Sequence, residues 1–464
     1  MPYVLGIDVG TCYTAAALCR LRGSAWGPAE VVPLHGRTPL LPTMLYLGRE
    51  GVVVGAPAAG RALAEPGRVA RDFVHRIGDD VPLVLGGQAC SAQELTAVFI
   101  RSVVDLVEGA EGVAADRVVI THRAGWGGYR RGLLRAELAR QELAEAILLP
   151  EAVAAAEYHA AQDLVYAGER IGVYGLGAST VEAAITRRAD NGVFDLLDWS
   201  ESVEDLGGTH FDDVLTDRVR EGLGRIATDL DPADPDTVRA MAVLRRQCGV
   251  AKEQLSAVLE TTVPVRLPAG AAEVRVSRAE FEELIRPAVD GTVENLLRVI
   301  RPPGSTAAEV NGVVLVGGSA RVPLVRDLVG AALPGRIAVH PEPDLGIARG
   351  AALAGRRLLA AEGVGPDLPA PTEETLVFVP PDLSGLDAEP VEDLPPERPP
   401  IELTPLDLPE HRLLRRFMPG VRPAVLGVVV MLIMVVGVVL TLMLEPRTGS
   451  TSQSPSAVLH SNHN

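Results

Sequence analysis

The chain predicts an α/β fold over residues 1–360, followed by an extended linker and one membrane-crossing helix, and two patterns carry this reading. Through residue 360, short apolar runs such as VLGIDVG, DRVVITH, RIGVYGLG and NGVVLVGG alternate with longer segments rich in Ala, Leu and Arg. Further on, AVLGVVVMLIMVVGVVLTLML at residues 424–444 is an unbroken apolar run as long as a helix needs to cross a bilayer.

The helical segments include GGYRRGLLRAELARQELAEAI at 127–147 and HFDDVLTDRVREGLGRI at 210–226, each with apolar residues on one face and charges on the other. Residues 361–411 are dense in proline and acidic residues and too poor in apolar periodicity to form a core, so they read as a disordered linker. Residues 412–423 form a basic juxtamembrane segment: Arg412, Arg415, Arg416 and Arg422 precede the span, against Arg447 after it. That bias places the N-terminal side in the cytoplasm and the Ser- and Asn-containing tail, 445–464, outside the cell membrane.

Composition narrows the function classes. At 464 residues with 47% hydrophobic and 22% charged, the chain is long enough for two or more domains with large cores. Sixty acidic against 43 basic side chains give a net charge of -17, which repels nucleic acid and argues against DNA or RNA as a partner. Cys12, Cys19, Cys90 and Cys248 are scattered without a C-x-x-C pair, so they read as reduced thiols, mostly buried. The N-terminus opens directly on an apolar strand without the charged region or cleavage site of a signal peptide.

Three glycine turns carry the chemistry. In GIDVGTCYT, residues 6–14, a strand ends in Asp8 and a turn then offers backbone N–H groups and hydroxyls, which suits terminal phosphates with Asp8 orienting Mg2+ or its waters. Taken alone, the motif fits equally a strand-turn whose Asp bonds its own backbone. In VYGLGASTVEAAI, residues 173–185, strand, small-residue turn and strand again have the shape of a phosphate loop, but without an acid before the glycines. In VVLVGGSARVPLV, residues 313–325, a buried strand runs through Gly317 and Gly318 into a helix, so a ligand can approach bare backbone; close helix–strand packing is the bland alternative.

With LPEAVAAAEYHA at 149–160, DLGGTHFDDVL at 205–215 and EPDLGIARGAALAG at 342–355, the order of these motifs resembles the nucleotide-binding domain of the heat shock protein 70 family, within the actin-like ATPase superfamily. The resemblance covers about residues 1–360. It implies two lobes of duplicated, ribonuclease H-like topology with ATP or ADP and Mg2+ in the cleft between them. Gly10, Thr11, Cys12 and Tyr13 fall on the first phosphate loop, with Cys12 in place of a hydroxyl residue. Gly177, Ser179 and Thr180 fall on the second, and Glu151 on the catalytic glutamate. For Glu151 a charge favourable to a helix N-terminus is the bland reading, and both can hold. Lys252, the only lysine in the chain, and Ser256 fall where the family contacts the adenosine half. Gly317, Gly318, Ser319, Arg321 and Asp344 complete the set.

This sequence departs from the family pattern at several points. Val74 stands where the family has the lysine that reaches the terminal phosphate, with Arg71, His75 or Arg76 as substitutes. Gly175 stands for the metal-orienting aspartate, Ala178 and Ser179 replace two loop glycines, and Gly249 and Glu253 alter the adenine clamp. The family's peptide-binding sandwich is not recognised; IELTPLDL at 401–408 is a faint match to its start. The expected function is therefore a membrane-tethered, nucleotide-dependent interaction module with weak or no hydrolysis and an unidentified protein partner. An active chaperone-type ATPase with substituted residues is the alternative, and a membrane-held filament former a third reading that DLGGTHFDDVL counts against.

Overall fold

A computed structural model describes residues 1–363, apart from 50, 63, 163–164, 201–202, 225–229, 232, 302–309 and 334–335. The linker, the basic segment, the apolar span and the tail expected at 361–464 lie outside the described residues, save 361–363. Among the described residues no helix is long and apolar enough to cross a membrane.

Two sheets repeat one plan. In the first, Tyr3–Val9 pairs antiparallel with Tyr13–Arg22 and parallel with Arg117–His122, which pairs parallel with Ile147–Pro150. In the second, Arg170–Leu176 pairs antiparallel with Thr180–Arg188 and parallel with Gly312–Val316, which pairs parallel with Arg336–Val339. Each sheet thus opens with a hairpin around a short glycine-containing turn and extends by parallel strands. The duplicated α/β architecture expected from the sequence is present.

These strands form because their residues face apolar surroundings on both sides: all five residues of Gly312–Val316 are buried, as are most of Tyr3–Val9. Such continuous apolar runs suit strands covered by helices on both faces. The helix read through to residue 147 ends instead at Arg140. Glu142 takes a left-handed backbone (φ 60°) and the Leu143 N–H donates to the Leu138 carbonyl at 2.9 Å, which turns the chain so that Ile147–Pro150 joins the sheet. The thiols of Cys19, Cys90 and Cys248 are buried and Cys12 is partly so; all are free, as expected.

Each sheet has its own core, and a third core is shared. The shared core takes Val4 and Val119 from the first sheet and Val173, Ala184 and Val314 from the second, with Ala154 and Ala155 from the helix Glu151–Ala160 and Ala351 from the helix Gly346–Ala361. Those two helices pack directly on each other. A Cβ at Gly350 would fall inside the contact radius of the Ala154 carbonyl oxygen, and one at Gly6 would meet the backbone at Ala352. Arg357 and Glu157 form an ion pair across the same crossing.

Gly350→Ala is expected to destabilise the protein by about 1–3 kcal/mol, the usual penalty of overpacking, because the obstacle is backbone and cannot rotate away. Gly291→Ala, at an exposed position of the helix Arg278–Ile300 with nothing near its added carbon, is expected to stabilise by about 0.5–1 kcal/mol. Denaturant unfolding of the two variants beside the parent measures both; a neutral Gly350→Ala would contradict the close crossing.

Candidate functional site

The first loop closes the hairpin between Tyr3–Val9 and Tyr13–Arg22. Thr43 pins it: its Oγ1 donates to the Gly10 carbonyl at 2.8 Å and lies 2.9 Å from Thr14 Oγ1, and its N–H donates to the Cys12 carbonyl at 2.8 Å. Thr11 is buried and Tyr13 half exposed. Burial pushes the Cys12 thiol up to about 11, with Asp72 and Asp212 adding to the shift and Lys252 and Arg245 opposing it. This loop of the first lobe therefore faces the helices of the second.

Asp8 lies at the end of its strand, where Thr121 Oγ1 donates to Asp8 Oδ1 at 2.8 Å. Burial and then the neighbouring Glu151 carboxyl push Asp8 above the ordinary carboxylate range. Glu151 opens its helix directly after Pro150, so its negative charge lies in the first turn, where the helix dipole favours it. Burial raises it too, against the charge of Arg123.

Two residues of this cluster escaped the sequence reading. Glu182 is the cross-strand partner of Gly175, so it shares a sheet face with the position where the acid was missing. The Gly125 N–H donates to its Oε1 at 3.3 Å, while burial and then Glu151 push its carboxyl up. The signal is the alternation of Thr180–Arg188, which puts this acid after the glycine turn and not before it. The other residue is Arg123, on the loop after Arg117–His122. It is 8% exposed, with Nη2 3.4 Å from Thr11 Oγ1 and Nη1 3.5 Å from Glu204 Oε1. No local motif marks it.

The second loop is held from three sides. The Gly177 N–H donates to the Thr180 carbonyl at 2.9 Å, closing the turn. Ser319 Oγ donates to the Gly177 carbonyl at 2.9 Å, and the Gly208 and Thr209 N–H groups donate to the Gly177 and Ala178 carbonyls. Gly207 (φ 146°) makes this approach possible, since a Cβ there would come within 2.7 Å of the Gly177 oxygen. Ser179 and Thr180 are partly buried at the turn. Gly208 and Thr209 open the helix Gly208–Gly222, and Lys252 reaches its start: Lys252 Nζ donates to the Gly208 carbonyl at 2.8 Å and pairs with Asp212 at 2.9 Å.

Thr11 and Glu151 thus share Arg123 as a neighbour, with Asp8 beside Glu151, while Gly177, Lys252 and Ser319 meet around Gly208 and the second loop. Gly318 begins the short turn Gly318–Arg321 that carries Ser319. Arg321 and Asp344 stand at the rim, paired at 2.5 Å, with the Gly317 N–H on the Pro343 carbonyl. Ser256 caps the end of the helix Pro235–Leu255, one turn beyond Lys252, and none of the hydrogen bonds found among the described residues joins its hydroxyl to the loops. Val74 is buried in the first-lobe core. Of its neighbours, Arg76 turns to Asp79 Oδ2 at 3.2 Å and to the Val81 carbonyl at 2.9 Å.

Among the described residues no group of three or more His, Cys, Asp or Glu side chains is placed to hold a metal ion directly. Asp8 and Glu182 nevertheless both lie near Glu151, each of the three carboxyls held above its ordinary range by burial and Asp8 and Glu182 also by Glu151, while the charge of Arg123 opposes the shift at Glu151 and Glu182. Such a donor set fits a hydrated divalent cation carried with a phosphate group, held through its water.

Two sheets of one repeated plan, each opening on a hairpin closed by a glycine turn, define the class of two-lobed actin-like domains. The family model for Hsp70 protein matches residues 4–365, and the chain belongs to the Hsp70 family. It is similar to Chaperone protein DnaK of Elusimicrobium minutum (strain Pei191), 28% identical over 340 residues that take in 71% of this chain and 53% of that protein. The chain spans about half the length of this curated relative.

Lys252→Met should lower stability by about 1–3 kcal/mol, because it strands the Asp212 carboxylate and the Gly208 carbonyl in a largely buried place. The double variant Lys252→Met/Asp212→Leu should regain most of that loss in thermal unfolding. An equal or larger loss in the double variant would show that the pair is not what Lys252 serves.

Proposed function

We propose that the protein binds ATP or ADP with Mg2+ in the cleft between its lobes and works as a membrane-tethered, nucleotide-dependent interaction module with weak or no hydrolysis. The observation that carries the reading is Val74, which is packed into the first-lobe core where the resemblance calls for a lysine at the terminal phosphate. Phosphoryl transfer depends on positioning and on charges that stabilise the transition state. One missing electrostatic contact of that kind is worth about 2.7–4 kcal/mol, or roughly 10²–10³ in rate.

Binding does not need that lysine. The loops at Gly10–Thr11 and Ala178–Ser179 would offer backbone N–H groups to phosphates, and the Gly317–Gly318 turn would leave room for the nucleoside. Mg2+ entering with the nucleotide would neutralise phosphate charge, and Asp8 would hold its water, with Glu151 orienting the water nearest the terminal phosphate. Client or partner recognition would come from a separate protein.

The second reading, an active chaperone-type ATPase using substituted residues, gains from Glu182 opposite Gly175, which supplies an acid that the second loop lacks. Single-turnover hydrolysis by the full chain, with nucleotide binding measured in parallel, separates the two. Binding without hydrolysis above background is expected; turnover abolished by Glu151→Ala would overturn the module reading in favour of the second.

The tether is proposed from the apolar run at 424–444 and the arginines before it. Protease added to intact cells should remove residues 445–464 and spare the N-terminal domain. Protection of the tail together with release of the chain by alkaline carbonate would refute the tether.

A further inference from the structure

The surroundings of Arg123 suit it to more than a structural bond. Its loop is fixed on both sides: the Trp126 N–H donates to the Arg123 carbonyl at 3.1 Å, and His122 Nδ1 lies 2.7 Å from the same oxygen. The neighbouring Gly125 N–H holds Glu182. The guanidinium is therefore delivered to one place, between Thr11 of the first glycine loop and Glu204, while its charge is felt by Glu151 and Glu182.

Both of its bonds, at 3.4 and 3.5 Å, are at the long limit for hydrogen bonding, although a guanidinium has five donors in a rigid fork. Its carboxylate partner is replaceable. Glu204 is about half exposed, so water can solvate it if the arginine leaves. Glu204 is also the cross-strand partner of Thr180 in the second glycine loop, which places the present bond of Arg123 beside the second phosphate loop and across the cleft.

We propose that Arg123 is the residue that recognises the terminal phosphate of a nucleoside triphosphate, exchanging Glu204 for that phosphate and so distinguishing triphosphate from diphosphate. The inference rests on the nucleotide-binding reading above. An arginine suits this role because its planar fork engages two phosphate oxygens at once, as an ammonium does not. It also restores the positive charge absent from position 74, from a different segment of the chain. The shift of partner would release Glu204, in the second lobe, when the third phosphate arrives.

Equilibrium binding of the non-hydrolysable triphosphate adenylyl imidodiphosphate and of ADP, each with Mg2+, tests this on the full chain. Arg123→Ala is expected to weaken the triphosphate about 10- to 100-fold, with ADP affinity changed less than about threefold. Arg123→Lys should recover part of the triphosphate loss. Glu204→Gln should strengthen triphosphate binding and leave ADP unchanged, and it provides an answer even where the Arg123 variants unfold. Equal weakening of both nucleotides by Arg123→Ala, or a Glu204→Gln variant with unchanged or weakened triphosphate affinity, overturns the assignment. If the parent chain binds neither nucleotide, the nucleotide-binding reading itself falls and the assignment with it; ADP binding by the parent tells the two failures apart.

Discussion

The helices Glu151–Ala160 and Gly346–Ala361 cross with their backbones in contact, Gly350 against the Ala154 carbonyl, and both sheets are built onto that crossing. The alanines of the two helices make the approach possible, and Pro150 starts the first helix one turn before the contact at Ala154. Glu151 reaches the carboxyl cluster because its helix begins at the crossing and continues into the shared core. A thicker interface would move that carboxyl away from Asp8 and leave the two lobes without a common reference.

Around that reference the site is assembled from weak, numerous pins. The first loop depends on Thr43, the second on Ser319, Gly208 and Thr209, and the two lobes meet through Arg123 and through the surroundings of Cys12. None of these bonds is exceptional alone, since a net hydrogen bond contributes only about 1 kcal/mol. Together they fix loops whose own sequences are small and permissive. The crowding of Asp8, Glu151 and Glu182 works in the opposite sense: like charges near one another are unfavourable until a cation joins them.

Much of this was legible in the chain. Strand-forming runs such as VLGIDVG and NGVVLVGG are apolar throughout, and the glycine turns are local features, so their order revealed the two-lobed plan and the family. The helix after residue 127 is shorter than its Ala and Leu pattern, which continues past Arg140, because burial of Leu138 and Leu143 sets the turn at Glu142. Glu182 was one pairing step from view, since the register of Arg170–Leu176 on Thr180–Arg188 puts it opposite Gly175. Arg123 could not be found that way, because its partners Thr11 and Glu204 are 112 and 81 residues distant and no short pattern joins them. The position of Val74 was legible as a substitution, but its turn into the core was not.

The same loop has an optical consequence. The chain has three tryptophans, and two of them frame residues 123–125: Trp126, buried and stacked on His122, and Trp199, partly exposed with its indole nitrogen beside Gly125. Indole emission depends on polarity and on nearby charge, and here one ring lies in the core under the loop and the other lies at its surface. A rearrangement of the loop would alter the two rings differently, so the unlabelled protein carries its own spectroscopic gauge of the cleft.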